Sequence, residues 1–93
     1  MPFQLLFTAK ADYDLNKIKV WYDNINPKLT TNLFVELGLE LALIKRTPLI
    51  YQIKYTTIRV AFLRGYEYGI HFIVKEQQII ILRVLHNKQY LKK

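Results

Sequence analysis

The chain has 93 residues, which fits one domain near the lower size limit for a self-sufficient hydrophobic core. Hydrophobic residues make up 52% of it, which favours a folded domain over a disordered chain. With no cysteine and two histidines, the sequence excludes disulfides and thiol catalysis and disfavours a metal site, and we expect no cofactor. No uncharged apolar run is long enough to span a bilayer, and acidic residues follow the first apolar stretch too closely for a signal peptide. We therefore expect a cytoplasmic protein.

Positive charge is concentrated in the second half of the sequence. Residues 1–44 include four basic and five acidic residues, whereas residues 45–93 include ten basic and two acidic residues. The excess that gives the formal net charge of +7 therefore lies after residue 44. Such a surface attracts nucleic acid, an acidic protein segment or an anionic membrane face, and charge alone does not choose among them.

The first half has the pattern of a short strand followed by two helices. Residues 3–7 are predicted as a buried strand, and Thr8 is predicted as the N-cap of the first helix. Apolar residues then recur at steps of three and four, which indicates an amphipathic helix; they are Ala11, Leu15, Ile18, Tyr22 and Ile25. Asn26-Pro27 ends this helix and begins a second one, predicted over residues 28–46 and ended by Thr47-Pro48.

The second helix has a predicted inner row formed by Leu33, Leu37, Leu41 and Ile44. Gly38 lies in the middle of this helix, where glycine costs roughly 1 kcal/mol relative to alanine, and a close approach of the two helices would be a physical reason for it. Trp21 borders the stripe of the first helix and Phe34 borders the inner row of the second, and we expect each to be a core residue or a contact for a protein partner, mainly the former.

From residue 49 the hydrophobic period changes from 3.6 to 2, which predicts strands. We predict a short strand at 49–54 and further strands at 57–63, 66–74 and 79–85. The last is apolar on both faces, so it should lie inside the sheet rather than at its edge. The order predicts an α+β two-layer domain over residues 1–93, with an N-terminal strand and a helical hairpin packed on an antiparallel sheet. The element order is β-α-α-β-β-β, with room for one extra short strand.

A series of short segments carries a resemblance to a known family. They are Phe7-Thr8-Ala9, Trp21-Tyr22, Pro48 with Tyr51, Ile58-Arg59-Val60-Ala61-Phe62-Leu63, Tyr66-Glu67-Tyr68, Ile70-His71-Phe72 and Ile80-Ile81-Leu82-Arg83-Val84-Leu85-His86. In this order and at this length they resemble the RelE/ParE toxins of bacterial type II toxin–antitoxin systems, in the branch described as plasmid-stabilisation proteins. The resemblance implies a growth-inhibiting toxin paired with a cognate antitoxin, typically an extended or helical segment that wraps the toxin. An acidic segment that folds on binding would complement the positive charge of this chain.

The resemblance implies two kinds of activity. ParE-like members poison DNA gyrase, whereas RelE-like members cleave mRNA in the ribosomal A site with two lysines on one strand, an arginine on the next, and an arginine and a tyrosine near the C-terminus. Arg59 matches the position of the first lysine, but Ala61 stands at the second lysine and Gly69 at the mid-sheet arginine. The loss of one charge-stabilising donor typically costs about 10²–10³-fold in rate. These departures therefore favour ParE-like inhibition of gyrase over RelE-like mRNA cleavage by the chain itself.

Six residues are candidates for contact with the target or the antitoxin: Arg59, Arg64, Arg83, His86, Lys88 and Tyr90. If the chain is instead a ribosome-dependent mRNA endonuclease, its catalytic candidates are Arg59, Arg83, His86 and Tyr90. A third interpretation is a non-toxic family member that still binds its antitoxin.

Each candidate also has an interpretation without function. Arg59 and Arg83 would then be solvated or held in structural ion pairs, and His86 would bond a backbone carbonyl at a strand end. Tyr90 would anchor the tail, and the lysines near the C-terminus (Lys88, Lys92 and Lys93) would simply be solvated. His71 is expected to have a structural role only.

Overall fold

The computed structural model describes residues 2–91, with residues 90 and 91 described by backbone alone. In chain order the elements are β1 (Gln4–Phe7), α1 (Ala9–Ile25), α2 (Pro27–Arg46), β2 (Ile53–Tyr55), β3 (Ile58–Phe62), β4 (Tyr68–Lys75), β5 (Gln78–His86) and α3 (Asn87–Leu91). The order confirms the predicted α+β class, and β2 is the extra short strand.

Local capping signals set the ends of the two long helices as the sequence predicts. The Thr8 hydroxyl accepts a hydrogen bond from the Ala11 N–H at 3.0 Å, which satisfies one of the unpaired donors at the start of α1. Asn26 serves both helices: its backbone N–H donates to the Tyr22 carbonyl, and its side chain accepts from the Lys28 N–H at 3.0 Å. The two helices therefore join through a single residue that is not helical.

The strands form one mixed sheet in the order β1-β5-β4-β3-β2. Neighbours from β2 to β5 pair in antiparallel fashion, as predicted. β1 joins the sheet as an edge strand parallel to β5, with Leu5 beside Ile79 and Phe7 beside Ile81. β5 is therefore paired on both sides along its first half, which agrees with its predicted interior position.

One hydrophobic core lies between the helical pair and one face of the sheet. The inner row of α2 is confirmed, since Leu33, Leu37 and Ile44 are buried and Leu41 packs at the core margin. Phe34 is also partly buried against this core. From the sheet, Ile70, Phe72, Ile79 and Ile81 are fully buried in this core.

Three predictions about the helices are wrong. Trp21 is 63% exposed and Ile25 is 60% exposed, because the buried positions of α1 end at Ile18 and only Tyr22 of the last two turns packs against the core. A Cβ atom built on Gly38 would meet no atom within 4 Å, so no close approach of the helices accounts for this glycine.

The predicted strand at 49–54 is wrong in its first half. Pro48–Ile50 form a single 3-10 turn, and strand pairing begins only at Ile53. The cause lies on β3, because Nη1 of Arg59 donates to the Tyr51 carbonyl at 2.6 Å and reaches the Leu49 carbonyl at 3.5 Å. These carbonyls therefore face a guanidinium instead of a neighbouring strand.

Candidate functional site

The second half of β5 has an edge that β1 does not cover, because β1 ends opposite Ile81. The start of α1 supplies the missing hydrogen bonds. The Thr8 hydroxyl donates to the Leu82 carbonyl at 2.8 Å, and the Asp14 carboxylate accepts from the Val84 N–H at 3.0 Å. Side chains of the helix thus take the place of a strand, which leaves room beside β5 for a cleft.

Asp14 also holds Arg83 through two parallel hydrogen bonds. Arg83 Nε lies 2.8 Å from Oδ2 and Arg83 Nη2 lies 2.9 Å from Oδ1. The Asp14 side chain is 7% exposed and that of Arg83 is 37% exposed, so the carboxylate is buried while the guanidinium reaches the surface. This bidentate geometry is the strong form of the ion pair, and the hydrogen bonds that Arg83 donates to Asp14 raise the pKa of Arg83. The guanidinium is therefore fixed in one orientation.

A buried histidine lies beside this pair on the neighbouring strand. His71 is paired with Arg83 across the ladder, and its Nδ1 is 2.7 Å from the Tyr55 hydroxyl. Burial, and secondarily the positive charge of Arg83, lowers the pKa of His71 to about 4. The ring is therefore neutral at pH 7, in agreement with the structural role predicted for it.

The α1 cleft, as we name it, is a depression of 710 Å³ between α1, the adjoining ends of β4 and β5, and α3. Its lining combines aromatic, cationic and amide side chains: Tyr13, Asp14, Asn16, Lys17, Ile18, Val20, Trp21, Tyr22, Asn24, Tyr68, Arg83, Val84, His86 and Gln89. Among the residues that the structure describes, Asp14 is the only acidic one in that lining. Asp14 and Arg83 offset each other in their ion pair, so Lys17 gives the lining its net positive charge.

Aromatic rings form much of the wall of the α1 cleft. Tyr22 meets Tyr68 edge-on at 6.5 Å between ring centroids, and His86 lies 5.3 Å from the Tyr68 ring. Burial, with a hydrogen bond to Tyr22, raises the pKa of Tyr68. At the rim, Tyr13 is 62% exposed, and the Lys17 ammonium lies 5.9 Å from the centroid of its ring. The wall thus offers both flat apolar faces and positive charge.

The predicted site residues separate into two groups. Arg83 and His86 both line the α1 cleft. Arg59 does not join them: it pairs with the core residue Phe72, whereas Arg83 pairs with His71, so strand alternation puts the two arginines on opposite faces of the sheet.

The remaining candidates lie in the turn between β3 and β4, on α3 or outside the described side chains. Arg64 is exposed in the turn between β3 and β4, and Lys88 is exposed on α3. The side chain of Tyr90 lies outside the described part of the structure, as do Lys92 and Lys93.

The two positions that lack the RelE-type cations also lie on opposite faces. Ala61 is buried in the core beneath the helices, where a lysine would be desolvated. Gly69 lies on the opposite face of the sheet from Ala61, and a Cβ atom there would lie 3.0 Å from Val60 Cγ1 and 3.3 Å from Asn87 Oδ1. Within residues 2–89, the structure therefore does not assemble the cationic set of the nuclease.

Asp14 and Trp21 are the site residues that sequence reasoning missed. A signal for Asp14 was present, since it follows the buried Ala11 by three residues and precedes the buried Ile18 by four, which puts a carboxylate on the inner face of a helix. A charge at such a position needs a partner of opposite sign. The exposure of Trp21 had no such signal, because it depends on where the covering elements end.

The described residues show two further negative findings. Residues 2–91 contain no group of three or more histidine, aspartate or glutamate side chains that could hold a metal ion. Over the same range, no helix is both long and apolar enough to cross a membrane.

Comparisons with known proteins identify the family. The family model described as "ParE toxin of type II toxin-antitoxin system, parDE" matches residues 5–90. A solved chain from a "Chromosomal ParDE TA system from P. aeruginosa" has a similar fold, with a TM-score of 0.80 and 22% sequence identity over 90% of this chain and 95% of that chain. Comparison with curated proteins gave no match. Because the family match covers nearly the whole sequence, this chain belongs to the ParE toxin family of type II toxin–antitoxin systems.

Proposed function

We propose that this ParE-type toxin inhibits DNA gyrase in the cytoplasm and that a cognate antitoxin neutralises it. The observation that carries the proposal is the family match over residues 5–90. The separation of Arg59 from Arg83, and the places of Ala61 and Gly69, agree with action by binding rather than by mRNA cleavage.

The antitoxin would cover an apolar stripe on the outer face of α2. Val35, Leu39 and Leu43 follow one another at four-residue steps and are 57%, 57% and 43% exposed. Lys45 and Arg46 follow directly in the last turn of α2. An amphipathic segment with acidic residues at one end would bury the stripe and pair with these cations, as a segment that folds on binding does.

A supercoiling assay tests the target. Purified toxin in excess should abolish supercoiling of relaxed plasmid by gyrase or trap cleaved linear DNA, and the antitoxin should restore supercoiling. Normal supercoiling at excess toxin would contradict gyrase as the target. The nuclease alternative stays a prediction, which mapping of mRNA ends in a translating extract decides: new codon-positioned cuts that disappear in Arg83→Ala would favour it.

A pair of variants tests the antitoxin surface. Leu39→Asp should inhibit gyrase like the wild type but resist neutralisation, because a carboxylate would be buried in the interface. Ile50→Asp makes the same kind of change at an exposed apolar side chain outside α2 and should be neutralised normally. Equal neutralisation of both variants would contradict a role for the α2 stripe.

A further inference from the structure

We infer that the α1 cleft binds single-stranded nucleic acid, with a base stacked on Trp21 and a phosphate held by Arg83. This inference goes beyond the proposed function, because it concerns direct binding by the toxin alone and holds whichever enzyme the toxin inhibits.

Exposed aromatic rings are the first reason. Trp21 and Tyr13 are 63% and 62% exposed, and both line the α1 cleft. They lie eight residues apart on α1 with Lys17 midway, so they share one helix face. Stacking on such rings suits nucleic acid without sequence preference, since every base has a flat π face.

The charges of the α1 cleft are the second reason. Arg83 donates to Asp14 through Nε and Nη2. Within the described residues, its Nη1 is not used by this ion pair, so Nη1 is the donor that could bind a phosphate. Lys17 adds a second cation at the rim, and Lys88 is exposed close by on α3. A guanidinium fixed by a buried carboxylate meets a phosphate with little loss of side-chain entropy.

The amides of the lining are the third reason, and they favour nucleic acid over an acidic peptide. Asn16, Asn24 and Gln89 also line the α1 cleft. Amide groups supply both donors and acceptors, which suit the edges of an unpaired base. An acidic peptide would use the cations and the amides, but it lacks the flat π face that every nucleotide presents to the exposed rings.

Trp21 provides a direct measurement, because it is the only tryptophan of the sequence. Titration of the full chain with a 12-nucleotide oligothymidylate should quench Trp21 fluorescence saturably. For single strands, the logarithm of the binding constant falls against the logarithm of salt concentration with a slope of about −0.7 per neutralised phosphate. Two neutralised phosphates therefore predict an affinity about sevenfold lower at 200 mM than at 50 mM salt. A parallel titration with a 12-nucleotide oligouridylate distinguishes DNA from RNA as the ligand. Quenching by either oligomer supports the inference, and the oligomer that binds more tightly identifies the preferred kind of nucleic acid.

Matched variants locate the binding, measured by fluorescence anisotropy of the labelled oligomer. Lys17→Gln should weaken binding several-fold, whereas Lys45→Gln, which removes the same charge from the end of α2, should have little effect. Trp21→Leu should weaken binding about tenfold through lost stacking, whereas Leu43→Ala on the outer face of α2 should bind normally.

Four results would overturn the inference. The first is no quenching at millimolar oligomer, and the second is equal loss of affinity in Lys17→Gln and Lys45→Gln. The third is equally tight binding of a duplex, which would indicate a phosphate-backbone patch without base stacking. The fourth is equally tight binding of polyglutamate of matched charge, which would assign the α1 cleft to an acidic peptide.

Discussion

Replacement of Asp14 by asparagine tests how far the Asp14–Arg83 pair stabilises the domain. The substitution keeps the size of the side chain but removes the charge and turns one acceptor into a donor that faces Arg83. Removal of one partner of a buried ion pair costs about 3–5 kcal/mol. Because the Arg83 side chain is 37% exposed and can be partly hydrated, we expect a loss of about 2 kcal/mol in the free energy of unfolding. For a domain of this size that loss lowers Tm by about 10 °C.

Urea unfolding followed by Trp21 fluorescence measures this loss, and circular dichroism measures Tm. The matched control is Asp23→Asn on the same helix, which breaks the exposed pair with Lys19 and should unfold close to the wild type. The double variant Asp14→Asn/Arg83→Gln should lose less stability than the sum of the two single variants, because the two side chains are in direct contact. If Asp14→Asn proved as stable as Asp23→Asn, the pair would not anchor α1 to β5 and the reasoning would fail.

Three more predictions concern His71, Gly38 and Gly69. The pKa of His71 in the folded state, about 4, lies below the ordinary 6.5, so His71 contributes stability that is present above pH 6.5 and is lost, by about 3 kcal/mol, as pH falls toward 4. The free energy of unfolding, measured from pH 7 to pH 4, should show this loss in the wild type but not in His71→Gln. Equal pH dependence of the two proteins would refute the prediction. Gly38→Ala should stabilise the domain by roughly 0.5–1 kcal/mol, since its Cβ meets open space in an exposed helix. Gly69→Arg should instead destabilise the domain by roughly 1–3 kcal/mol, since the new side chain would clash with Val60 Cγ1. Urea unfolding should give a higher midpoint for Gly38→Ala than for Gly69→Arg, and the opposite order would contradict both glycine predictions.

Local signals account for the parts of the fold that the sequence predicts well. Thr8 and the Asn26-Pro27 pair cap their helices through bonds to residues two or three positions away, so the pattern is complete within a few residues. The change of period after Pro48 likewise marks the boundary between helices and strands. Such features depend on few neighbours and survive almost any tertiary arrangement.

The site depended on long-range pairings that no local pattern contains. Arg59 and Arg83 resemble each other in sequence, since each lies within an apolar strand, yet one binds backbone carbonyls and the other binds a helix carboxylate. Their faces are decided by the register of β3 and β5 on β4. The parallel pairing of β1 with β5 is equally non-local, so the open edge that forms the α1 cleft could not be foreseen.

The pairing of β1 with β5 also constrains the order in which the domain can assemble. Thr8 bonds the carbonyl of Leu82, 74 residues later, so the sheet is incomplete until β5 has been synthesised. Contacts of such sequence separation form late because a long loop must close first. The helical hairpin can therefore form before β5 is synthesised, whereas Arg83 can meet Asp14 only afterwards, so the α1 cleft is completed later than the helices that border it.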